Sequence, residues 1–472
     1  MGDTNKNNCS SKQAINKVES TDELITGRGG LSLFVKYLEN TLVFANFLIP
    51  YFGKLRKSRK GIPIQEIFKQ LFSFFLDGTS RHLAYFDQVQ KDPGYSAVIE
   101  TDKKYMASSH SIKRFFQAFS WPLIFLFRQV HLNLFAWRLR VNQPEVIMLY
   151  LDAMVMDNDD AKKREEVHPT YKKCKGFNGL QITWEGYLAD TILRPGHIHS
   201  NSGRSVEKMV RRMVQTIREK YRNDVPIVFR MDSGFMDQEL YKVFEELEVG
   251  YISSGKLYGD ITNLMARISD NKWHRYYGSG EIEDNRIWEY IEFGDRRKSW
   301  DKFRRAVFTR PMSEDGQFIL PFVRPCTVIY TNLGQGYAVD AQLREAELEW
   351  LLSAEGIIAC FHDQGRGELA FRAFKEFGSE ELPFQKYKYN VAFYHCMVIA
   401  YNLYQAFKED TCDEVVDVNS YPSTFRRKVI DIGVKVAKTS HQVILKISQT
   451  VFDYLNFDEL WRRCCNPPQI EV

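Results

Sequence analysis

At Pro144 the hydrophobic pattern of this chain changes period, and few folds accommodate such a change. From residue 31 to about residue 140, apolar side chains recur at helical steps. They do so in GLSLFVKYLENTLVFANFLIPYF, IQEIFKQLFSFFLDG, SIKRFFQAFS and PLIFLFRQVHLNLFAWRL, and no alternating run intervenes. After Pro144 comes EVIMLYLDAMVMD, a short apolar run rich in β-formers that reads as a buried strand. GLQITWEGYLAD and TILRPG read as two more strands with a turn at Ala189 and Asp190. GRSVEKMVRRMVQTIREKYR is an amphipathic helix, PIVFRMDSGF a second buried strand, DQELYKVFEELEVG a helix ended by Gly250, and YISSGK another strand. Strands in succession, then strands alternating with helices, predict an α/β unit with a mixed sheet behind an all-helical unit.

From about residue 259 to residue 333 the helical signal stops, and WHRYYGSG, RIWEYIEFGDR, KFRRAVFTRP and CTVIYTNL read as strands. Helices resume with DAQLREAELEWLLSAEGII, GRGELAFRAFKEF and YNVAFYHCMVIAYNLYQAFKED, and KVIDIGVKVAKTSHQVILKIS alternates like a hairpin. The predicted organisation is a disordered polar tail over 1–25, a helical domain over 26–143 and a first core segment over 144–258. A β-rich insertion over 259–335, a second core segment over 336–410 and a C-terminal segment with a hairpin over 411–472 complete it.

With 472 residues the chain exceeds one compact core, and its 44% apolar content is enough to bury several. The apolar run over 121–137 is broken by Arg128 and His131, so no membrane span is expected. MGDTNKNNCSSKQ lacks an apolar stretch of the signal-peptide kind. The cysteines show no CxxC spacing, which points to reduced thiols in a cytoplasm and away from a zinc module. Net charge is +4, yet residues 1–150 hold about 20 Lys and Arg against about 12 Asp and Glu. Lys54, Arg56, Lys57, Arg59 and Lys60 cluster in KLRKSRK, either a solvated loop or a patch that contacts phosphates.

Three carboxylates sit where burial is expensive: Asp152 inside IMLYLDAMVM, Asp232 at the end of IVFRMDSG, and Glu368 on GRGELAFRAFKEF. Each has an ordinary reading. Asp232 before Ser-Gly fits a turn cap, Asp152 could pair with an arginine, and Glu368 could pair with Arg372 at i+4. Taken together, acids from two strands and a covering helix can offer three hard oxygen ligands, which suit Mg²⁺ or Mn²⁺ with open positions. Two such ions about 4 Å apart assist phosphodiester cleavage without a Ser or Cys nucleophile. No GxSxG, HExxH or GxxxxGK[ST] segment is present.

LDAMVMD, LRPGHIHSNSG, FRMDSGF and GELAFRAFKEF followed by AYNL resemble the bacterial insertion-sequence transposases with an Asp-Asp-Glu triad. The resemblance runs from LITGRGGLSLFVKYLENT to AYNLYQAFKED, most of the chain. It implies an RNase H-like core interrupted by a β-rich insertion between the second Asp and the Glu. By the same resemblance, Asp152, Asp232 and Glu368 would be catalytic and hold two Mg²⁺ or Mn²⁺ ions. It further implies cut-and-paste transposition in a bacterial, nucleoid-associated setting, with terminal inverted repeats bound by the helical domain and at least a dimer on double-stranded DNA. Two alternatives stay open: a metal-dependent nuclease without strand transfer, and a non-catalytic DNA-binding descendant.

The family signature is Tyr-x2-Arg-x3-Glu-x6-Lys. Counted from Glu368, Lys375 matches, while Gln364 and Phe361 stand at the Arg and Tyr positions. Lys375 is the expected phosphate contact, with Arg366 and Arg372 as further candidates and Arg366 a substitute for the missing arginine. Asp157 and Asn158 are expected to shape a loop. His197 and His199 could assist near phosphate or serve as hydrogen-bonded spectators. Trp273, Trp288 and Trp300 could stack on an unpaired base, although packing inside the insertion is the simpler expectation. Phe393, Tyr394, Tyr401 and Tyr404 are expected in the core.

Overall fold

The computed structural model describes residues 15, 17–55, 61–199, 201, 204–278, 287–312, 326–363 and 365–470. Most of the expected tail lies outside these residues, as do Arg56, Lys57, Arg59, Lys60 and Gln364, and the Arg366 side chain is likewise not described.

Thirteen strands are present among the described residues, numbered here in chain order. They are β1 Leu24–Thr26, β2 Ile147–Asp157, β3 His168–Pro169, β4 Lys175–Trp184, β5 Tyr187–Pro195, β6 Ile227–Met231, β7 Gly250–Ser254, β8 His274–Tyr277, β9 Ile287–Asp295, β10 Arg304–Met312, β11 Thr327–Thr331, β12 Val434–Lys438 and β13 Val443–Ile447. Strands β2 to β11 form one sheet in the order β3-β4-β2-β6-β7-β11-β10-β9-β8, with β5 against β4. The β2–β6 and β6–β7 pairs are parallel and the others antiparallel, so the sheet is mixed as expected. The stretch expected to be a β-rich insertion supplies β8 to β11, which extend this sheet through the β7–β11 pair. The expected C-terminal hairpin is β12–β13, and β1 adds a third strand to it.

Between β1 and β2 the chain is helical, because apolar residues there recur at three- and four-residue steps. In helix Leu31–Asn40, Leu31, Phe34, Val35 and Leu38 are buried. Helix Ile64–Asp77 starts after Pro63 and stops at Gly78, whose φ of +64 is a left-handed stop suited to glycine. Helix Trp121–Asn142 carries Pro122 in its first turn and ends at Gln143 with φ +47.

The long helix Tyr387–Thr411 is buried along most of its length and packs on helix Trp121–Asn142, helix Ile64–Asp77 and β5. Phe393, Tyr394, Tyr401 and Tyr404 are buried on it as core. Tyr394 is stitched to the sheet: its hydroxyl accepts from Gln181 Nε2 at 2.7 Å and lies 2.8 Å from Thr191 Oγ1.

Two local expectations change. The β4–β5 turn falls at Glu185 and Gly186, not at Ala189 and Asp190. Positive φ at both residues, +43 and +85, makes the primed turn that a tight hairpin favours. Ala189 is instead the extra residue of a bulge, since Ile182 pairs with Asp190 while Thr183 pairs with Leu188. Asp190 is fully buried and accepts from Arg128 Nε at 3.0 Å, which is why a turn-forming residue sits inside a strand. Likewise, DAQLREAELEWLLSAEGII is two helices, Ala338–Glu345 and Ala354–His362. Ser353 starts the second, its Oγ accepting from the Gly356 N–H at 3.0 Å.

Candidate active site

Strands β2 and β6 run parallel in the register Ile147↔Ile227 through Leu151↔Met231. Asp152 and Asp232 each follow the last of these pairs, on strands about 4.8 Å apart, so their backbones lie side by side. β6 ends there because Asp232 turns the chain: its Oδ1 accepts from the Gly234 N–H at 2.9 Å. The turn-cap reading of Asp232 therefore holds, and it leaves Oδ2 for other work. β2 continues past Asp152, paired on its other side with β4, and Asp152 Oδ1 accepts from the Ala153 N–H at 2.6 Å.

Glu368 lies in the first turn of helix Gly365–Phe377 and is exposed. Phe371, Phe374 and Phe377 are buried on that helix, with Phe374 edge-on to Tyr394 and Tyr401. The helix approaches β2 closely at Gly367, where a Cβ would stand 3.3 Å from the Tyr150 ring. Asp152 and Glu368 line one small cleft with Tyr150, Arg230 and Phe371. Burial pushes the Asp152 carboxyl up to about 7, and the negative charges of Asp232 and Glu368 push the same way against the Ala153 N–H and Lys172. Burial also raises Asp232, opposed by the Gly234 N–H. Asp152 thus feels the other two acids as repelling neighbours, offset only in part by Lys172. Among the described residues, the ligand atoms of these three acids do not all come within 4.8 Å of one another.

Beneath this cleft sits a group that sequence reasoning missed. Arg230, 4% exposed, pairs in register with Tyr150, stacks on its ring at 4.2 Å and donates to its hydroxyl. The same guanidinium donates to the Phe361 carbonyl at 3.3 Å and meets Asp363 Oδ2 at 3.5 Å. It therefore ties β2 and β6 to the end of helix Ala354–His362, just ahead of the Glu368 helix. Its signal was present: an arginine inside an apolar strand, two residues before Asp232 and so on the same face. Tyr171 is a second missed residue. Its hydroxyl donates to the Ala153 carbonyl at 3.0 Å, and its phenol is raised to about 12, by burial first and then by Asp152 and Asp232.

The other candidates are placed as follows. Lys375 Nζ meets Glu380 Oε2 at 2.6 Å, and Arg372 lies over the Tyr421 ring at 4.7 Å, so neither basic group is engaged with Glu368. Lys54 is exposed. Asn158 is buried and shapes its loop, donating to the Met156 and Glu380 carbonyls and accepting from the Leu382 N–H. Asp157 accepts from the Asp159 N–H at 2.9 Å. His197 stands against His168, with ring centres 4.6 Å apart, and His199 is exposed. Trp273 and Trp300 are buried, packed on Phe308 and on Tyr330 respectively, and Trp288 lies against His362 at 4.4 Å.

In overall structure the chain is similar to the piggyBac transposase of a cryo-EM synaptic complex with hairpin DNA. The identity is 10% and the TM-score 0.40, with 84% of this chain and 78% of that chain covered. No curated protein matches the chain. The family model described as transposase DDE domain group 1 matches residues 11–464, nearly the whole length, and the protein therefore belongs to this family of DDE transposases.

Proposed function

We propose that this protein is the cut-and-paste transposase of an insertion sequence, with Asp152, Asp232 and Glu368 as its catalytic triad on an RNase H-like core. The observation that carries the reading is the convergence of these acids at the point where β6 ends, in a chain of a DDE family. The donor set suits Mg²⁺ or Mn²⁺: carboxylate oxygens only, mutually repelling and partly buried, so that cation binding relieves the repulsion. When bound, one or two such ions supply Lewis acidity at a scissile phosphodiester.

The chain's own groups do the positioning. The Ala153 and Gly234 amides each hold one carboxylate oxygen and so orient the other. Arg230 and Tyr150 brace the segment that delivers Glu368. Lys172, which opposes the raised Asp152, is a basic group suited to a neighbouring DNA phosphate, and Arg366 is a further candidate on its place in the sequence alone. Lys375 and Arg372 would reach one only by leaving Glu380 and Tyr421. Hydrolysis at an element end would free a 3′-hydroxyl, which then attacks target DNA, and the exchange of one phosphodiester for another needs no external energy source. The helical unit before β2 would bind terminal inverted repeats in double-stranded DNA, with two ends held by at least a dimer. The insertion-sequence origin and a bacterial nucleoid setting rest on the motif resemblance alone.

The test is incubation of the chain with end-containing DNA and Mg²⁺, with cleavage and joining followed on gels. Asp232→Asn keeps the turn, since Asn caps it equally well, and should lower cleavage by at least about 100-fold with end binding nearly unchanged. Cleavage retained by this variant overturns the triad. Nicking without joined product identifies a nuclease, and binding without either reaction identifies a regulator.

A further inference from the structure

We infer that Glu166, His168 and His197 form a second metal site, of the zinc type, at the β3 edge of the sheet and apart from the carboxylate triad. Among the described residues, theirs is the one group of three His, Cys, Asp or Glu side chains whose ligand atoms all lie within 4.8 Å of one another. His168 Nε2 and Glu166 Oε2 are 3.3 Å apart, and the His168 and His197 rings stand nearly perpendicular. Around Zn²⁺, with bonds to N and O of about 2.0–2.1 Å, tetrahedral neighbours are about 3.4 Å apart. The first pair already has that spacing, and the third ligand needs only a side-chain adjustment.

The backbone beneath these side chains is locked. His168 pairs with Gly176 on β4, and Phe177 of β4 pairs with Pro195, two residues before His197. Gly196 donates its N–H to the Glu166 carbonyl at 3.3 Å. A Cβ at Gly196 would stand 2.2 Å from the Gly176 carbonyl oxygen and 2.4 Å from that of His168, so the ligand-bearing segments meet where only glycine fits. Glu166 itself adopts φ +66, a conformation uncommon for a side-chain-bearing residue. The side chains, by contrast, are 37% and 44% exposed at Glu166 and His168, which leaves access for an ion and for water in the remaining position.

Two imidazoles with one carboxylate favour Zn²⁺ over Mg²⁺, which prefers oxygen donors throughout. The site is distinct from the triad. Gly176, the partner of His168, pairs with Asp157, five residues along β2 from Asp152, or about 16 Å at the usual strand rise. A bound ion there would cross-link the chain entering β3 to the chain leaving β5, a structural staple for that edge. The missing CxxC spacing hid it, because its donors are histidines and a glutamate brought together by strand pairing.

The experiment titrates the metal-stripped full-length chain with Zn²⁺ by calorimetry, in excess Mg²⁺ to occupy the oxygen-only triad. One Zn²⁺ should bind with a Kd of about 1 µM or tighter, and His168→Ala/His197→Ala should weaken it by at least about 100-fold. Asp232→Asn should leave the isotherm unchanged, and X-ray absorption of the zinc complex should show an N/O shell without sulfur. With EDTA the double variant should melt as the unsubstituted chain does, whereas Zn²⁺ should raise the melting temperature of the latter alone. Absence of uptake, uptake unaltered in the double variant, uptake lost in Asp232→Asn, or a sulfur shell would each overturn the site.

Discussion

Arg230 shows how one side chain can serve both stability and geometry. A guanidinium buried in a strand is tolerable only when its donors are used, and here they meet Tyr150, the Phe361 carbonyl and Asp363. Replacing it by Met keeps the volume but strips those partners, at an expected cost of about 2–4 kcal/mol. Arg230→Met should thus lower the melting temperature, and cleavage should fall about 10-fold or more because the Glu368 helix loses its brace. Arg230→Lys should keep the charge yet recover little, since one ammonium nitrogen cannot span partners that Nη1 and Nη2 reach separately, nor stack flat on Tyr150. Parallel melting and cleavage assays check both outcomes. The arginine stood in plain view in FRMDSGF, but its partners lie far along the chain and have no local signature.

Between elements, the helix pair Trp121–Asn142 and Tyr387–Thr411 holds a pH-sensitive contact. His131 Nε2 and His395 Nδ1 are 3.0 Å apart, and both rings are buried. Burial pushes His131 well below its ordinary value, helped by His395 and Arg128, and pushes His395 down to about 3. A group whose pKa is depressed on folding contributes stability that is fully present above its unfolded value, about 6.5, and is lost as pH falls toward the folded value. The melting temperature should therefore fall between pH 7 and pH 5 more steeply in the natural chain than in His131→Leu/His395→Leu, as thermal scans at several pH values would show. Such a pair is invisible in sequence, where each histidine looks like a solitary polar residue on an apolar helix. The same holds for the β4–β5 hairpin: Asp190 reads as a turn residue until Arg128 is found beside it.

For the whole molecule, net charge of +4 conceals an uneven distribution, with about 20 basic against about 12 acidic residues in the first 150. If this part binds DNA, affinity must fall with salt as phosphate contacts release counterions. Replacing Lys54, Arg56, Lys57, Arg59 and Lys60 by Ala should reduce the slope of log K against log salt by about 0.9 for each phosphate that is no longer neutralised, measured by filter binding across a salt series. An unchanged slope would assign KLRKSRK to solvent. No described helix is long and apolar enough to cross a membrane.

Much of this protein was written in local pattern. Helices before Pro144 and the mixed sheet after it follow from periodicity, and the acids inside one strand, at the end of another and at a helix start stand out as charges in apolar segments, signals that act over a few residues. The pairing of β2 with β6 does not. It joins positions 80 apart, as at Tyr150 and Arg230, and it alone sets Asp152 beside Asp232. Partner choice depends on which edges and faces remain free once everything else has packed, so the reach of Lys375 to Glu380, the brace at Arg230 and the meeting of Glu166 with two histidines exist only in the folded chain.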